Sequence, residues 1–476
     1  MKTSVKRILS ALCIVSLSVT LFSGCSENPE DYSIISEIVF EDDNNSSGNS
    51  NSNVESNKDD SASKSQNNNS KNNNPGKDSA KTPSTAGDST KVNPADYKGT
   101  TVTYAMWQRA DGIDTQTICN NFKNKYGITV KILNVAQSTY IQEITSLISS
   151  GNAPDVIKDC DFWPEFISIA QPLENAKMDL SDSMWNQEFL KQSEVNGKHY
   201  SIRNTSKGTT LVYYNKKLLQ NNAIRTPEEY KAIGQWNFEA LTTIMQKVAA
   251  LGKSYVGGYF ADNGYVLYPC FNTSIFKYKD GKFSTGINDS AFLEISKYMA
   301  EWNKQGLLSN VRSAFYDGKA GIAVEGTYGL RKTGYWKDMN YSDIGYIEVP
   351  SLNGKDSIPA TTWQGHGICK GAKNPVAAGI FLSYYLTEDN QDSADSFITQ
   401  DAYKYQLSLN KNTTGVYTDI RTGIYGVLGS ERNVYTRQIV STDPAQIPAL
   451  ISSLNNQVNA YVKKVQDFYD SAIKSN

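Results

Sequence analysis

Only two histidines occur in the 476 residues, His199 and His366. A zinc centre built by the usual imidazole-rich route is hard to assemble from them, and Gly365-His366-Gly367 is no metal motif. There is no Gly-x-Ser-x-Gly nucleophile elbow. The turns at Gly151-Asn152-Ala153-Pro154 and Gly318-Lys319-Ala320-Gly321 lack the Gly-Lys-Ser/Thr of a phosphate-binding loop. Glycoside hydrolysis needs only two carboxylates, and Glu325 with Asp159 or Asp161 could serve. With 49 acids in the chain, such a pairing carries no information. Catalysis, a metal and a cofactor are therefore not expected.

Binding is the better-supported chemistry. The chain carries 29 Tyr, 16 Phe and 7 Trp, and several stand at strand ends or in loops rather than on helix stripes. Trp107 ends one strand and Trp163 follows another, while Tyr265 and Tyr268 lie in "NGYVLYP". Tyr328 follows Gly326, and Trp363 opens "WQGHG". Flat aromatic faces suit the C–H faces of a sugar ring. Planar polar partners would then fix its hydroxyls, because a buried polar group left unpaired is costly. The partners at hand are Asp159, Asp161, Glu325, Gln364 and His366. For most of these residues plain packing, or a solvated turn, competes with ligand binding. Tyr328 and Trp363 are favoured as site residues because neighbouring glycines are expected to leave the backbone open.

Elements to position these residues can be read along the chain. Residues 101–107 alternate as a strand, and 113–127 read as a helix with Ile118 and Phe122 four apart and Gly127 as C-cap. A strand over 128–135 precedes a helix over 139–151, with Ile141, Ile144 and Ile148 in one stripe, and "PDVIK" is a third strand. Strands alternating with helices imply a parallel sheet covered on both faces. Farther on, Asn237 is placed to cap a helix and Trp236 to staple onto Leu241. Residues 290–306 are amphipathic, Asn374-Pro375 opens a helix, and the chain ends on an amphipathic helix.

Before residue 97 the chain has another character. Lys2, Lys6 and Arg7 precede an apolar run, Ile8–Phe22, and then Ser23-Gly24-Cys25. This has the form of a secretory signal, and its ending resembles a bacterial lipobox. That implies cleavage before Cys25 and lipid on its sulfur, although Phe22 stands where Leu is usual. The run is too short for a comfortable membrane span. Residues 26–96 are rich in Asn, Ser, Lys, Asp and Gly. They cannot recover ordering entropy by burial, so they read as a disordered tether reaching roughly 45 Å, with 32–41 as a possible short element. A net charge of −2 argues against a nucleic-acid surface. Cys119, Cys160, Cys270 and Cys369 are far apart. They allow three disulfide connectivities or four buried thiols, and spacing does not choose between these.

From residue 97 onward the ordered train of motifs resembles the extracellular solute-binding proteins that include maltose-binding protein. The train is "VTYAMW", "LISSGNAPDVI" (147–157), "EVNGKHYSI" (194–202), "TTLVYYNKKLL" (209–219), "AFYDGKAGIAVEGTYG" (314–329) and "KGAKNPVAAGIFLSYYL" (370–386). The resemblance implies an α/β, two-lobe periplasmic-binding-protein-like fold with a hinge and an interlobe ligand cleft. One lobe would be 97–212 plus 348–395, and the other 213–347 plus 396–476. It implies a monomer, lipid-anchored at the extracellular face of the cell membrane, that hands a carbohydrate to an ABC permease. Alternatives are the same fold binding a phosphodiester, polyamine or peptide, a lipid-anchored enzyme acting on glycans, and a sensor for a surface kinase.

Overall fold

A computed structural model of the chain describes residues 92–476 except 108–114, 161, 206–207, 363, 392, 412–416, 420–427 and 476. The leader, Cys25, the tether up to residue 91, Asp161 and Trp363 lie outside the described residues.

The chain opens with β1 (Thr101–Met106), α1 (Thr115–Tyr126), β2 (Thr129–Asn134), α2 (Tyr140–Ser149), β3 (Val156–Cys160) and β4 (Ala170–Gln171). It continues through β5 (Thr210–Asn215), α3 (Phe238–Ala249), β6 (Val256–Phe260), α4 (Ser290–Lys304), β7 (Leu308–Ser309), β8 (Ala320–Gly326) and β9 (Ile344–Glu348). It then returns through β10 (Gln364–Cys369) and α5 (Pro375–Tyr385), and closes with α6 (Gln400–Lys411), α7 (Leu428–Ser441) and α8 (Ile447–Ser475).

Two five-stranded sheets result, in the orders β2-β1-β3-β10-β4 and β7-β6-β8-β5-β9. In the first, β1 runs parallel to β2 and β3, and β10 runs antiparallel to β3 and β4. In the second, β6 is parallel to β7 and β8, while β5 is antiparallel to β8 and β9. The central strands of the second sheet are buried almost throughout, Leu211–Asn215 in β5 and Ala320–Glu325 in β8. That is the pattern of strands covered on both faces. The structure thus has the mixed α/β, two-lobe architecture expected from the sequence.

Local chemistry explains the helices. In α1, Ile118, Cys119 and Phe122 are buried. The helix ends where Gly127 takes φ 69°, a left-handed conformation that glycine adopts at low cost. In α2 the buried seam is Tyr140 and Ile144, and Ile141 and Ile148 are only partly buried beside it. The Asn237 side chain accepts the Ala240 N–H and caps α3 as expected. The Trp236 indole donates to the Glu348 carbonyl (2.9 Å), tying the start of α3 to the end of β9. Asn374 opens α5 without a side-chain cap, and its side-chain amide donates to the Thr101 carbonyl (3.1 Å). Asp155, 4% exposed, accepts the backbone N–H of Thr103 (2.9 Å) and of Asn374 (2.8 Å), so one carboxylate joins β1 to α5. Cys119, Cys270 and Cys369 are buried. Among the described residues no helix is long and apolar enough to cross a membrane.

Candidate functional site

Topology fixes where a cleft lies. The carboxyl edge of the first sheet holds the ends of β1 and β3 and, because β10 is antiparallel with Gln364 opposite Cys160, the start of β10. The carboxyl edge of the second sheet holds the ends of β6, β7 and β8. It also holds the start of β5, with Thr210 opposite Gly326, and the end of β9, with Glu348 opposite Leu211. The chain leaves the first sheet after Ile202, which pairs with His366, and enters β5 at Thr210. It leaves β9 at Glu348 and enters β10 at Gln364. Both crossings therefore join one carboxyl edge to the other. The seven residues 203–209 span at most about 25 Å. Such edges are where open α/β sheets bind ligands.

The first edge is polar beneath an aromatic cover. Trp107 is 5% exposed, and its indole Nε1 has no hydrogen-bond partner. The Lys158 ammonium lies 5.1 Å from the Trp107 ring centre. Asp159 is fully buried on the next position of β3. On β10, His366 stands opposite Lys158. Its Nε2 lies 2.9 Å from the Tyr104 hydroxyl, and its Nδ1 is unpartnered. Burial, reinforced by the charges of Lys158 and Arg203, holds the imidazole far below its usual range, so it is neutral. Arg203 is pushed down to about 10 by burial. Glu165, a little beyond Trp163, is pushed up to about 7 by burial.

The second edge is built around Glu325. Its side chain is 5% exposed and takes two hydrogen bonds from Arg312 on one oxygen, from Nη2 at 2.7 Å and Nε at 3.0 Å. The other oxygen accepts the Gly326 N–H (3.1 Å). Burial pushes this carboxyl upward, opposed by Arg312. Burial of Arg312 acts to lower its own pKa, but the Glu325 charge and hydrogen bond together with Tyr259 and Tyr335 outweigh it, so the guanidinium stays protonated. The guanidinium lies 4.4 Å from the Tyr335 ring centre and 5.6 Å from that of Tyr259. Tyr335 meets Tyr328 edge-on at 4.9 Å, and the Tyr328 hydroxyl donates to the Thr333 carbonyl. Tyr328 is half-buried.

The structure therefore brings Trp107, Asp159, Gln364 and His366 to one edge, with Gln364 exposed, and Glu325 and Tyr328 to the other. Tyr265 and Tyr268 follow the end of β6 at that second edge, where the Val266 carbonyl between them accepts the Thr210 hydroxyl (3.1 Å), but their side chains are buried in the core. Both are 1% exposed. The Tyr265 hydroxyl bonds Ser274 (2.5 Å) and the Tyr268 hydroxyl bonds Ser296 of α4 (3.0 Å). Tyr268 also stacks on Phe292 at 4.4 Å. These two are core residues, packed where a loop runs beneath a helix. Trp163 is fully buried, 6.1 Å from Tyr278 and 6.3 Å from Tyr469, so it is covered by protein. The glycine argument also changes. A Cβ at Gly365 would lie 2.2 Å from the Ser201 hydroxyl oxygen, so this glycine serves close approach, whereas one at Gly326 would meet nothing nearer than 4.0 Å. Sequence reading missed Arg312, Tyr335, Tyr259 and Lys158. Arg312 follows β7 by three residues, a strand-end position like those that drew attention to Trp107 and Trp163. Among the described residues no three His, Cys, Asp or Glu side chains converge as a metal site.

A two-sheet α/β body whose crossings hold two carboxyl edges together is the architecture of a solute-binding protein. The profile described as "Bacterial extracellular solute-binding protein" matches residues 117–400, and the chain belongs to that family. The maltodextrin-binding protein MdxE of Bacillus subtilis (strain 168) is 25% identical over 329 residues, covering 64% of this chain and 74% of that protein. The extracellular solute-binding protein of Staphylococcus aureus, solved with maltose, superposes with TM-score 0.58 at 17% identity, covering 77% of this chain and 99% of the other. The GacH receptor of Streptomyces glaucescens, solved unliganded and with acarbose, gives TM-score 0.58 at 17% identity, covering 75% and 98%. At such identities these structures attest the fold.

Proposed function

We propose that the chain is the lipid-anchored, extracellular substrate-binding subunit of an ABC importer. It captures a sugar or oligosaccharide by closing its lobes and delivers it to a permease. The observation that carries this reading is the pair of carboxyl edges joined by both crossings, one bearing Trp107 and His366 with unpartnered polar atoms, the other bearing Tyr328 and the Glu325–Arg312 pair. Aromatic faces beside buried donors are what a polyhydroxylated ring requires, since each hydroxyl must exchange its water for a partner. The similarity to the maltodextrin-binding protein of Bacillus subtilis supports the same ligand class. Closure would be a hinge motion at the crossings, driven by ligand contacts with both edges. The lobes follow 97–212 plus 348–395 and 213–347 plus 396–476, except that Thr210–Val212, as part of β5, pair within the second sheet and go with the second lobe. The protein acts as a monomeric binder without catalysis.

A thermal-shift panel of malto-oligosaccharides, other neutral sugars, amino acids, polyamines and phosphodiesters tests this. A bound saccharide raises the melting temperature by mass action, and the other classes leave it unchanged. A shift only with a polyamine or phosphodiester overturns the ligand class. Within the saccharide reading, Tyr328→Ala weakens affinity about 5- to 150-fold, taking aromatic–base stacking as the analogue. Its melting temperature without ligand stays near wild type. Trp363→Ala is expected to behave alike.

A further inference from the structure

We infer that Arg312, fixed by Glu325 and laid on Tyr335, is the residue through which the second sheet selects uncharged saccharides over acidic ones. The inference rests on the saccharide reading above and names the charge class it admits.

The geometry is one-sided. Glu325 is buried to 5% exposure and both its oxygens are taken by protein donors, while the Arg312 side chain is 41% exposed. The acid is the foundation and the base faces outward. Glu325 draws on Nε and Nη2, which leaves the Nη1 edge uncommitted to the carboxylate. The Tyr335 ring at 4.4 Å and the Tyr259 ring at 5.6 Å hold the guanidinium plane. Tyr335 in turn abuts Tyr328 at 4.9 Å, so the aromatic plate and the donor edge form one continuous shelf. Beside it the backbone at Gly326 is open.

Two consequences follow from charge and rigidity. A planar fork clamped by a carboxylate and a ring loses little freedom when it donates to a ligand. Its spaced donors suit two adjacent hydroxyl oxygens. The pair is also neutral overall. A ligand carboxylate approaching Arg312 would meet Glu325 directly behind it, and in a partly buried setting that repulsion cancels much of the attraction. The shelf thus offers strong donors without a net field for an anion.

The test uses maltotriose, and the pair maltose and maltobionate, which share a glucosyl unit while the second unit is a ring in one and an open-chain carboxylate in the other, a difference that is the same for every variant. Titration calorimetry is run on wild type, Arg312→Lys and Glu325→Gln, each checked by its melting temperature without ligand. Arg312→Lys keeps the charge on Glu325 satisfied but loses the planar fork, and it weakens maltotriose binding at least about 5-fold. Glu325→Gln leaves the guanidinium net positive. It shifts the maltobionate-to-maltose affinity ratio toward the acid by about 5-fold or more. Because both ligands are measured on the same folded molecules, a purely structural role for the pair would leave that ratio unmoved. Wild-type affinity for maltotriose in Arg312→Lys, or an unchanged ratio in Glu325→Gln, overturns the inference alone. Absence of saccharide binding in wild type overturns the saccharide reading and the inference with it.

Discussion

Glu165 and His366 pull stability in opposite directions along the pH axis. Burial raises the Glu165 carboxyl from 4.5 to about 7. The neutral form is favoured in the fold, so its contribution is complete below pH 4.5 and is lost as pH rises to about 7. A shift of that size corresponds to about 3 kcal/mol at most. Burial lowers His366, so the unfolded chain takes up a proton that the fold refuses, and stability falls as pH drops below 6.5. The Glu165→Gln variant separates the two. Urea unfolding at intervals from pH 4.5 to 8 should show wild type losing stability relative to the variant up to about pH 7 and no further. A constant difference across that range would mean that Glu165 titrates as an ordinary surface acid.

At the scale of elements, the terminal helix does more than cover a sheet. Tyr469 of α8 and Tyr278 of the hairpin Lys277–Ser284 enclose Trp163, which follows β3 of the other sheet. The Tyr278 hydroxyl donates to the Gln192 carbonyl (3.1 Å), the Asp280 N–H donates to the Gln192 side chain (3.1 Å), and the Asn196 amide donates to the Ile473 carbonyl (3.0 Å). These contacts tie α8 and the hairpin to the side of the first sheet. Tyr469 is 4% exposed, so Tyr469→Ala should cost roughly 3 kcal/mol, read as a lower urea midpoint. An unchanged midpoint would show that α8 does not pack there in solution.

For the whole molecule, the expected sequence of leader, lipidated cysteine, tether and two-lobe body assigns capture and anchoring to separate parts. An acyl-anchored body on a long polar tether could sample solute away from the surface and return to dock. The Ser23-Gly24-Cys25 ending makes anchoring testable. Cys25→Ala should release the protein into the medium, followed by fractionation and by mass spectrometry of the N-terminal peptide. Wild-type partition into membranes, with no lipid adduct on the native peptide, would remove the anchor from the proposal.

The sequence by itself determined the mixed α/β class, and the helices and strands whose periodicity and caps are local, such as α1 with Gly127 and α3 with Asn237. It also placed Glu325 and Tyr328 together, because they lie within one strand end and the turn that follows it. Trp107 and Asp159 were legible as strand-end residues on adjacent parallel strands. Tertiary structure decided which aromatics are core. Tyr265 and Tyr268 have the composition of a binding loop, and only the approach of Ser274, Ser296 and Phe292 makes them packing residues. It also decided that Glu325 is spoken for. Arg312 lies on another strand end, and β7 and β8 come together only because β6 pairs with both. Residue type and spacing report along the chain; a charge pair or an aromatic socket forms across it, where only the packing of distant segments sets the distance.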